Sequence, residues 1–341
     1  MKAADIIRRV IIGVTWLIFT AASLLASYRV YWMNVHLVGA LWLMCGLSAP
    51  AVVAGSGSVP RADLERQGYV ALPFTTNFFL QSVLSISING TNLTCFLDTA
   101  ADHCVLSPET ARRIGVDAGD EQRQVQGASG EKISARFVSL TNLSVCGQSL
   151  RDVHAYIFSR YRQKGLEKFY ADCALGQDFL QAHAAVVDYS ARLLYLRLPA
   201  GADSAARAPL QLPGMTNLGL QKRGQLYDLP VEIDGRPAAL NLDTGATRLY
   251  LNRAWARKAG LAETVASQVA TGATFGDQKL ASVPVKVLQL GSYQIRPNRI
   301  FVLDLADDYD AGILGNLELF RARAVIDCEH WALHVPAAPA K

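Results

Sequence analysis

The chain carries one short signal twice, and that duplication restricts its possible folds more than any other feature. Leu240 to Ala246 reads Leu-Asn-Leu-Asp-Thr-Gly-Ala, and Thr94 to Ala101 reads Thr-Cys-Phe-Leu-Asp-Thr-Ala-Ala, so Asp98-Thr99 precedes Asp243-Thr244 by 145 residues. In both copies an apolar, strand-like run delivers an Asp-Thr pair into a turn of small residues. A single such tetrapeptide is only what tight turns use. The echo extends much further, as a duplicated unit requires. Ile88-Asn89-Gly90 answers Ile233-Asp234-Gly235, each a hairpin turn between apolar runs. Upstream, Leu72-Pro73 and Thr76-Asn77 are matched to Leu212-Pro213 and Thr216-Asn217. Downstream, Ser107 and Asn252 are both helix N-caps in pattern, and each is followed eight residues later by a closing glycine, Gly115 or Gly260. Gly127-Ala128-Ser129 answers Gly272-Ala273-Thr274, Ala174-Leu175-Gly176 answers Ile313-Leu314-Gly315, and Val187-Asp188 answers Ile326-Asp327.

Two units of about 130 residues can each bury a proper core. Between Gly68 and Leu198, short apolar or alternating runs such as Val83 to Ile88 and Leu193 to Leu198 are broken by Gly, Asn, Ser and Asp, which reads as strands. Helical signals are few and brief; Ser107-Pro108-Glu109 opens one that Gly115 closes. The expected class is therefore all-β, with a first lobe over 68–199, a small-residue linker over 200–208 and a second lobe over 209–337. The net charge of +4 is small for 341 residues, and no basic run or aromatic-interleaved patch points to nucleic acid.

Residues 1–60 fall outside that pattern. Val10 to Ser27 is almost wholly apolar behind Lys2, Arg8 and Arg9, long enough for a membrane helix or signal-anchor. A second apolar run, Leu37 to Ala54, contains small-residue sequences acceptable for cleavage. Three topologies are open: a two-helix hairpin leaving the lobes cytoplasmic, one anchor exporting them, or a cleaved signal starting at Met33. Export is the expectation, with the lobes membrane-anchored or released outside the cytoplasm (the periplasm, in a bacterium). Residues 55–67 read as a tether.

The ordered motifs resemble the retropepsin-like aspartic proteases. The second copy has Leu240 to Ala246, a glycine-containing segment Gly272 to Thr274, and Gly312-Ile313-Leu314-Gly315-Asn316-Leu317; the first has Phe96 to Ala101, Gly127 to Gly130, and Ala174 to Leu180. The resemblance covers about residues 68–337 and implies two tandem β-barrel lobes with short helices and an active site between them. It implies Asp98 and Asp243 as the catalytic pair. Peptide hydrolysis by water needs a base for the water proton and an acid for the carbonyl oxygen, and two carboxylates about 3 Å apart share one proton and supply both. Their titration then belongs to the pair. By resemblance, Thr99 and Thr244 hydrogen-bond across the axis, while Ala100 and Gly245 form the close-packed loop positions beside the carboxylates. Ala100 departs from the family's glycine. If the backbone there requires φ > 0, alanine costs about 1 kcal/mol or more, and the first lobe is a weakened partner.

Asp102 matches a position that holds substrate backbone in retroviral relatives, or is a solvated carboxylate; the second lobe has Thr247 there. Gly127, Ala128, Ser129 and Gly272, Ala273, Thr274 are expected at the tips of two covering flaps, or in ordinary hairpin turns. Neither tip carries a bulky aromatic. No cofactor is expected, and no metal: His330 and His334 are four apart in a strand, too distant for one ion without a third ligand. His103 and Cys104, adjacent in an extended segment, point to opposite faces and make a poor dyad. Among the cysteines of the lobes, Cys95, Cys104, Cys146 and Cys173 are matched in the second copy by Leu240, Leu249, Leu290 and Gly312. Buried thiols are the default reading, with one disulfide in the first lobe left open.

The sequence therefore leads to a two-lobed, monomeric aspartic endopeptidase that cuts polypeptides and is tied to a membrane through its apolar N-terminus. Two other readings stay open: a peptide-binding protein with the fold but little hydrolysis, on account of Ala100, and a homodimer pairing two copies of Asp243.

Overall fold

The computed structural model describes residues 59–117, 120–140, 143–145, 148–150, 153–159, 170–198, 206–271 and 277–337. Both apolar N-terminal runs lie outside the described residues, and among the described ones no helix is long and apolar enough to cross a membrane.

Each lobe is built on a ten-stranded sheet, and the strand order is the same in both. In the first lobe the hairpin Ser82–Ile88 and Thr91–Leu97 turns through Asn89 and Gly90, both at positive φ (49° and 74°). In the second, Leu226–Ile233 and Arg236–Leu242 turn through Asp234 and Gly235 at 48° and 76°. Two consecutive left-handed residues make the tight turn whose twist suits adjoining strands, which is why Asn-Gly and Asp-Gly occupy it. The strand carrying each Asp-Thr pair then runs parallel to a short late strand, Thr91–Leu97 beside Cys173–Leu175 and Arg236–Leu242 beside Gly312–Leu314.

A third, six-stranded sheet is shared by the lobes. Its order is Tyr69–Pro73, Leu193–Arg197, Val186–Asp188, Val325–Asp327, Ala332–Pro336, Met215–Gly219. The order is palindromic about the pairing of Val187 with Ile326, so the relation between the copies passes through these two residues. One continuous core of buried side chains runs from Leu84, Leu97 and Phe179 in the first lobe to Leu229, Leu242 and Leu319 in the second. The helices are short. Pro108–Arg113 is capped by Ser107, whose hydroxyl accepts from Thr110 N at 3.0 Å, and Arg253–Lys258 by Asn252, whose carbonyl oxygen accepts from Ala254 N at 3.0 Å. Gly115 and Gly260 close them at φ 69° and 72°. Helices Gln177–Ala182 and Asn316–Arg321 follow the two late strands.

The sequence register needs correcting at the start of each unit. Leu72 pairs with Leu194, and it is Leu218 that pairs with the corresponding Leu333; Leu212-Pro213 precedes the strand. Likewise Thr75–Thr76 finds its counterpart in Gln221–Arg223, each pairing with the strand before the Asp-Thr hairpin, whereas Thr216-Asn217 lies in the shared sheet. Backbone pairing fixes these edges, and similar side chains in a different register do not. The stretch read as a tether also does more: Val59 and Leu64, the latter on helix Arg61–Arg66, are buried against Tyr195, Val186 and Val325. From the linker, Arg207 is buried and bonds Asp327 at 2.6 Å and the Tyr69 hydroxyl at 3.1 Å.

The open cysteine question resolves as a disulfide between Cys95 and Cys173, register partners on adjacent parallel strands with Cα atoms 4.6 Å apart; Cys104 and Cys328 are buried thiols. The second lobe has Leu240 opposite Gly312 at the same place. Gly312 sits at φ 146°, and a Cβ there would lie 2.1 Å from the Tyr250 carbonyl oxygen. Gly235 also has a positive φ of 76°, but its Cβ would meet nothing within 4 Å. Gly235→Ala is expected to cost about 1 kcal/mol, and Gly312→Ala several times more through backbone collision. Equal denaturation midpoints for the two variants would contradict this account.

Candidate active site

The two Asp-Thr loops meet where the lobes join. Each aspartate prolongs its strand by one bond, Asp98 N donating to Leu175 O at 3.0 Å and Asp243 N to Leu314 O at 3.1 Å. Each carboxylate then accepts from the turn that follows: Asp98 Oδ1 from Ala100 N (3.1 Å) and Ala101 N (3.2 Å), Asp243 Oδ1 from Gly245 N (2.8 Å) and Ala246 N (3.0 Å). Such bonds favour the ionised form and aim the second oxygen away from the turn.

Thr99 and Thr244 are fully buried and interlock. Thr99 N donates to Thr244 Oγ1 at 3.0 Å and Thr244 N to Thr99 Oγ1 at 3.1 Å, while Thr99 Oγ1 donates onward to Leu242 O at 2.7 Å. Two carboxamides brace the loops from behind. Gln177 Nε2 donates to Thr99 O and to Gln225 O of the other lobe, both at 2.8 Å. Asn316 Nδ2 donates to Thr244 O and Ala246 O, and its Oδ1 accepts from the Tyr189 hydroxyl at 2.8 Å and from Ser82 Oγ at 3.4 Å. A buried amide with both donors and its acceptor used stiffens the loop it holds. Gln81 Nε2 donates to Gly245 O at 2.8 Å. The sequence offers the Gly176-Gln177 and Gly315-Asn316 pairs as part of a motif, but the carboxamides' task becomes visible only in the fold.

Gly245 and Ala100 differ in what they tolerate. Neither has a positive φ, so the strain considered for Ala100 does not arise. The glycine at 245 answers to space: a Cβ there would lie 2.8 Å from Asp98 Cγ and Oδ2. Ala100 instead places its methyl in a small apolar cluster with Leu226, Tyr309, Ile313, Ala246 and Ala128. Asp243 is the carboxylate held above the usual range, pushed up to about 8, first by burial and then by the charge of Asp98; the Gly245 and Ala246 amides pull the other way.

Asp102 is half-buried; its Oδ1 accepts from His103 N at 3.1 Å and its Oδ2 from the Tyr156 hydroxyl at 3.3 Å. His103 faces Asp178, Nδ1 to Oδ2 at 2.8 Å, and that bond holds the imidazole above its ordinary value. Cys104 points into the core, where burial pushes its thiol far up. His330 bonds Asp327 at 3.1 Å, His334 is buried, and among the described residues no cluster of metal-ligating side chains forms.

The first-lobe hairpin of Gln122–Gln126 and Lys132–Leu140 carries Gly127, Ala128, Ser129 and Gly130 at its tip. Gly130 has φ 91°, and Ser129 Oγ donates to the Glu131 carboxylate. The tip lies on the second lobe: Ala128 O accepts from Ala306 N at 2.8 Å, and Gln126 Nε2 donates to Asp308 Oδ2 at 3.2 Å. Gly272, Ala273 and Thr274 lie outside the described residues, between strands Thr264–Thr271 and Asp277–Val285.

A family model described as aspartyl protease matches residues 84–179 and again 229–316, together more than half of the chain. Among solved structures, that of a retropepsin-like aspartic protease from Rickettsia conorii is similar at 19% identity, covering 38% of this chain and 89% of its own, with a TM-score of 0.28. No curated protein matches.

The raised Asp243 carboxyl has a measurable consequence without any substrate. The folded chain keeps that proton to about pH 8, whereas an unfolded chain releases it near 3.8. Between those values the unfolded state binds fewer protons, so this group lowers stability as pH rises. The Asp243→Asn variant cannot titrate, so its stability relative to wild type is expected to increase steadily from about pH 4 to about pH 8. Parallel stability curves in urea across that range would refute the burial of this carboxyl.

Proposed function

The chain belongs to the aspartyl protease family, matching it once in each half, and on that premise we propose that it is a single-chain aspartic endopeptidase whose two lobes, 68–199 and 209–337, supply Asp98 and Asp243 to one site. The observation that carries this reading is the reciprocal Thr99–Thr244 bonding, which sets two turn-bound aspartates side by side. It also favours one chain over a dimer of second lobes, because the partner of the Asp243 loop is already present.

In this mechanism a water lies between the carboxylates. Asp98, ionised, takes a proton from the water as its oxygen attacks the scissile carbonyl carbon. Asp243, protonated, gives its proton to the carbonyl oxygen, so a neutral gem-diol forms. On collapse, Asp98 returns its proton to the leaving nitrogen, the C–N bond breaks, and Asp243 recovers a proton from a diol hydroxyl. The raised Asp243 carboxyl favours that assignment, although the titration belongs to the pair. Thr99, Thr244, Ala100 and Gly245 hold the loops; Asp102, the first-lobe tip at 127–129 and residues 272–274 contact an extended polypeptide substrate. No cofactor, metal or nucleic acid enters the scheme.

The proposed setting is outside the cytoplasm, with the chain monomeric and tied to a membrane by its apolar N-terminus. The Val10 to Ser27 run behind basic residues supports this, and so does the Cys95–Cys173 disulfide, since such bonds persist in oxidising compartments. The peptide-binding alternative loses its main motive, since Ala100 is not in the left-handed region.

Purified full-length chain is expected to cleave an unstructured protein, and Asp98→Asn and Asp243→Asn are each expected to lower the rate by about 10³-fold or more. Activity is expected to decline as pH rises through about 8, where Asp243 loses its proton. Loss with Asp243→Asn alone would move the assignment to a homodimer. No cleavage by folded wild type would favour the binding protein.

A further inference from the structure

Peptide hydrolysis places negative charge on the scissile oxygen, and a site gains from a neutral donor fixed beside it. The described hairpin tip, residues 127–130, supplies no aromatic hydroxyl. The second lobe, however, delivers one from a different direction. Tyr309 is 8% exposed, and its side chain shares an apolar cluster with Ala100 and Ala246, which follow the two aspartates, and with Ala128 of the first-lobe tip. Its backbone is pinned on both sides: Tyr309 N donates to Ala306 O at 2.9 Å, and its carbonyl accepts from Asn252 Nδ2 at 2.6 Å. Asn252 is itself held as a helix cap, so the tyrosine stands on a rigid base.

The hydroxyl makes no hydrogen bond to any described residue, and the residue keeps 8% of its surface exposed. A buried phenol usually has a partner, and an oxygen arriving with the substrate is one. Burial pushes the phenol well above its ordinary value, and the Asp243 and Asp98 charges push it further, so it stays protonated and able to donate throughout the working range. The duplication sharpens the contrast. Tyr170 stands three residues before Cys173, as Tyr309 stands three before Gly312, but Tyr170 packs against Phe79 in a tilted ring pair with centroids 4.6 Å apart. Only the second-lobe copy lies in the cluster beside the carboxylates.

Resting on the protease reading above, we propose that Tyr309 is a third catalytic residue, its hydroxyl donating a hydrogen bond to the scissile carbonyl oxygen as charge develops there. It transfers no proton and breaks no bond; it stabilises the tetrahedral oxygen beside Asp243.

The test compares full-length wild type with Tyr309→Phe, which keeps the ring and removes only the donor. The expected result is kcat lowered by about 10²-fold, with KM within about twofold as a donor used only in the transition state requires and an unchanged melting temperature. A statine-type peptide, whose hydroxyl mimics the tetrahedral oxygen, is expected to lose affinity by calorimetry, and a reduced-amide peptide without that oxygen is expected to keep it. If wild type cuts and Tyr309→Phe cuts equally well, or if only KM rises, the hydroxyl is a wall of the cleft and the proposal fails while the protease reading stands. If Tyr309→Phe unfolds, Tyr309→Met measured against the two peptides decides, and equal loss for both overturns the role. A folded wild type that neither cuts nor binds the statine peptide removes the protease reading and this inference with it.

Discussion

Two buried threonine hydroxyls, each accepting the other loop's backbone N–H, are the contact on which the arrangement of this site depends. Side chain and backbone are both engaged, so neither loop can shift without leaving a donor unpaired in the interior, a loss of about 1–3 kcal/mol. The bonds also explain why the aspartates come together at all. Carboxylates repel, and burying two of them is opposed by desolvation; the threonines and the braces Gln177 and Asn316 hold the loops where the charges would not go unaided. The Asp243 carboxyl is raised first by its burial and then by the Asp98 charge held beside it.

Around this contact the two lobes are alike in backbone and different in side chains. Positions with left-handed backbone recur in pairs, Ala184 with Arg323 and Arg192 with Trp331, although the residues share nothing chemically. At the parallel strand pair one lobe has a disulfide, and the other a glycine pressed against Tyr250. Asp102 with its Tyr156 contact has Thr247 as counterpart, and Ala100 has Gly245. Pairing geometry was retained through duplication because it is shared between neighbours. Side chains facing the cleft or a local pocket were free to diverge, and each divergence makes the two sides of the site chemically distinct.

Much of this was legible beforehand. The hairpin turns at Asn89-Gly90 and Asp234-Gly235, the capped helices at Ser107 and Asn252, and the two Asp-Thr loops are local signals, and local physics fixes them. The register of Leu72 was misread because apolar and polar residues near a strand edge resemble one another, while ladder partners are set by a segment more than a hundred residues away. Gln81 and Tyr309 were silent for the same reason, and Gln177, though inside a motif, gave no sign of the brace it forms. A glutamine or tyrosine announces nothing until its neighbours are known, and Gln81 reaches Gly245 across 164 residues of chain.

By itself the sequence determined that the chain is two copies of one all-β unit, each ending a strand in Asp-Thr, because periodicity, turn residues and caps act within a few positions. Only the tertiary structure decided that the copies interlock through Thr99 and Thr244, that the lack of room beside Asp98 requires Gly245, and that the tyrosine of one lobe lies by the carboxylates while its counterpart lies against Phe79. Those outcomes depend on which surfaces meet when two similar lobes close on a shared sheet. That is a property of three-dimensional packing, and no local pattern encodes it.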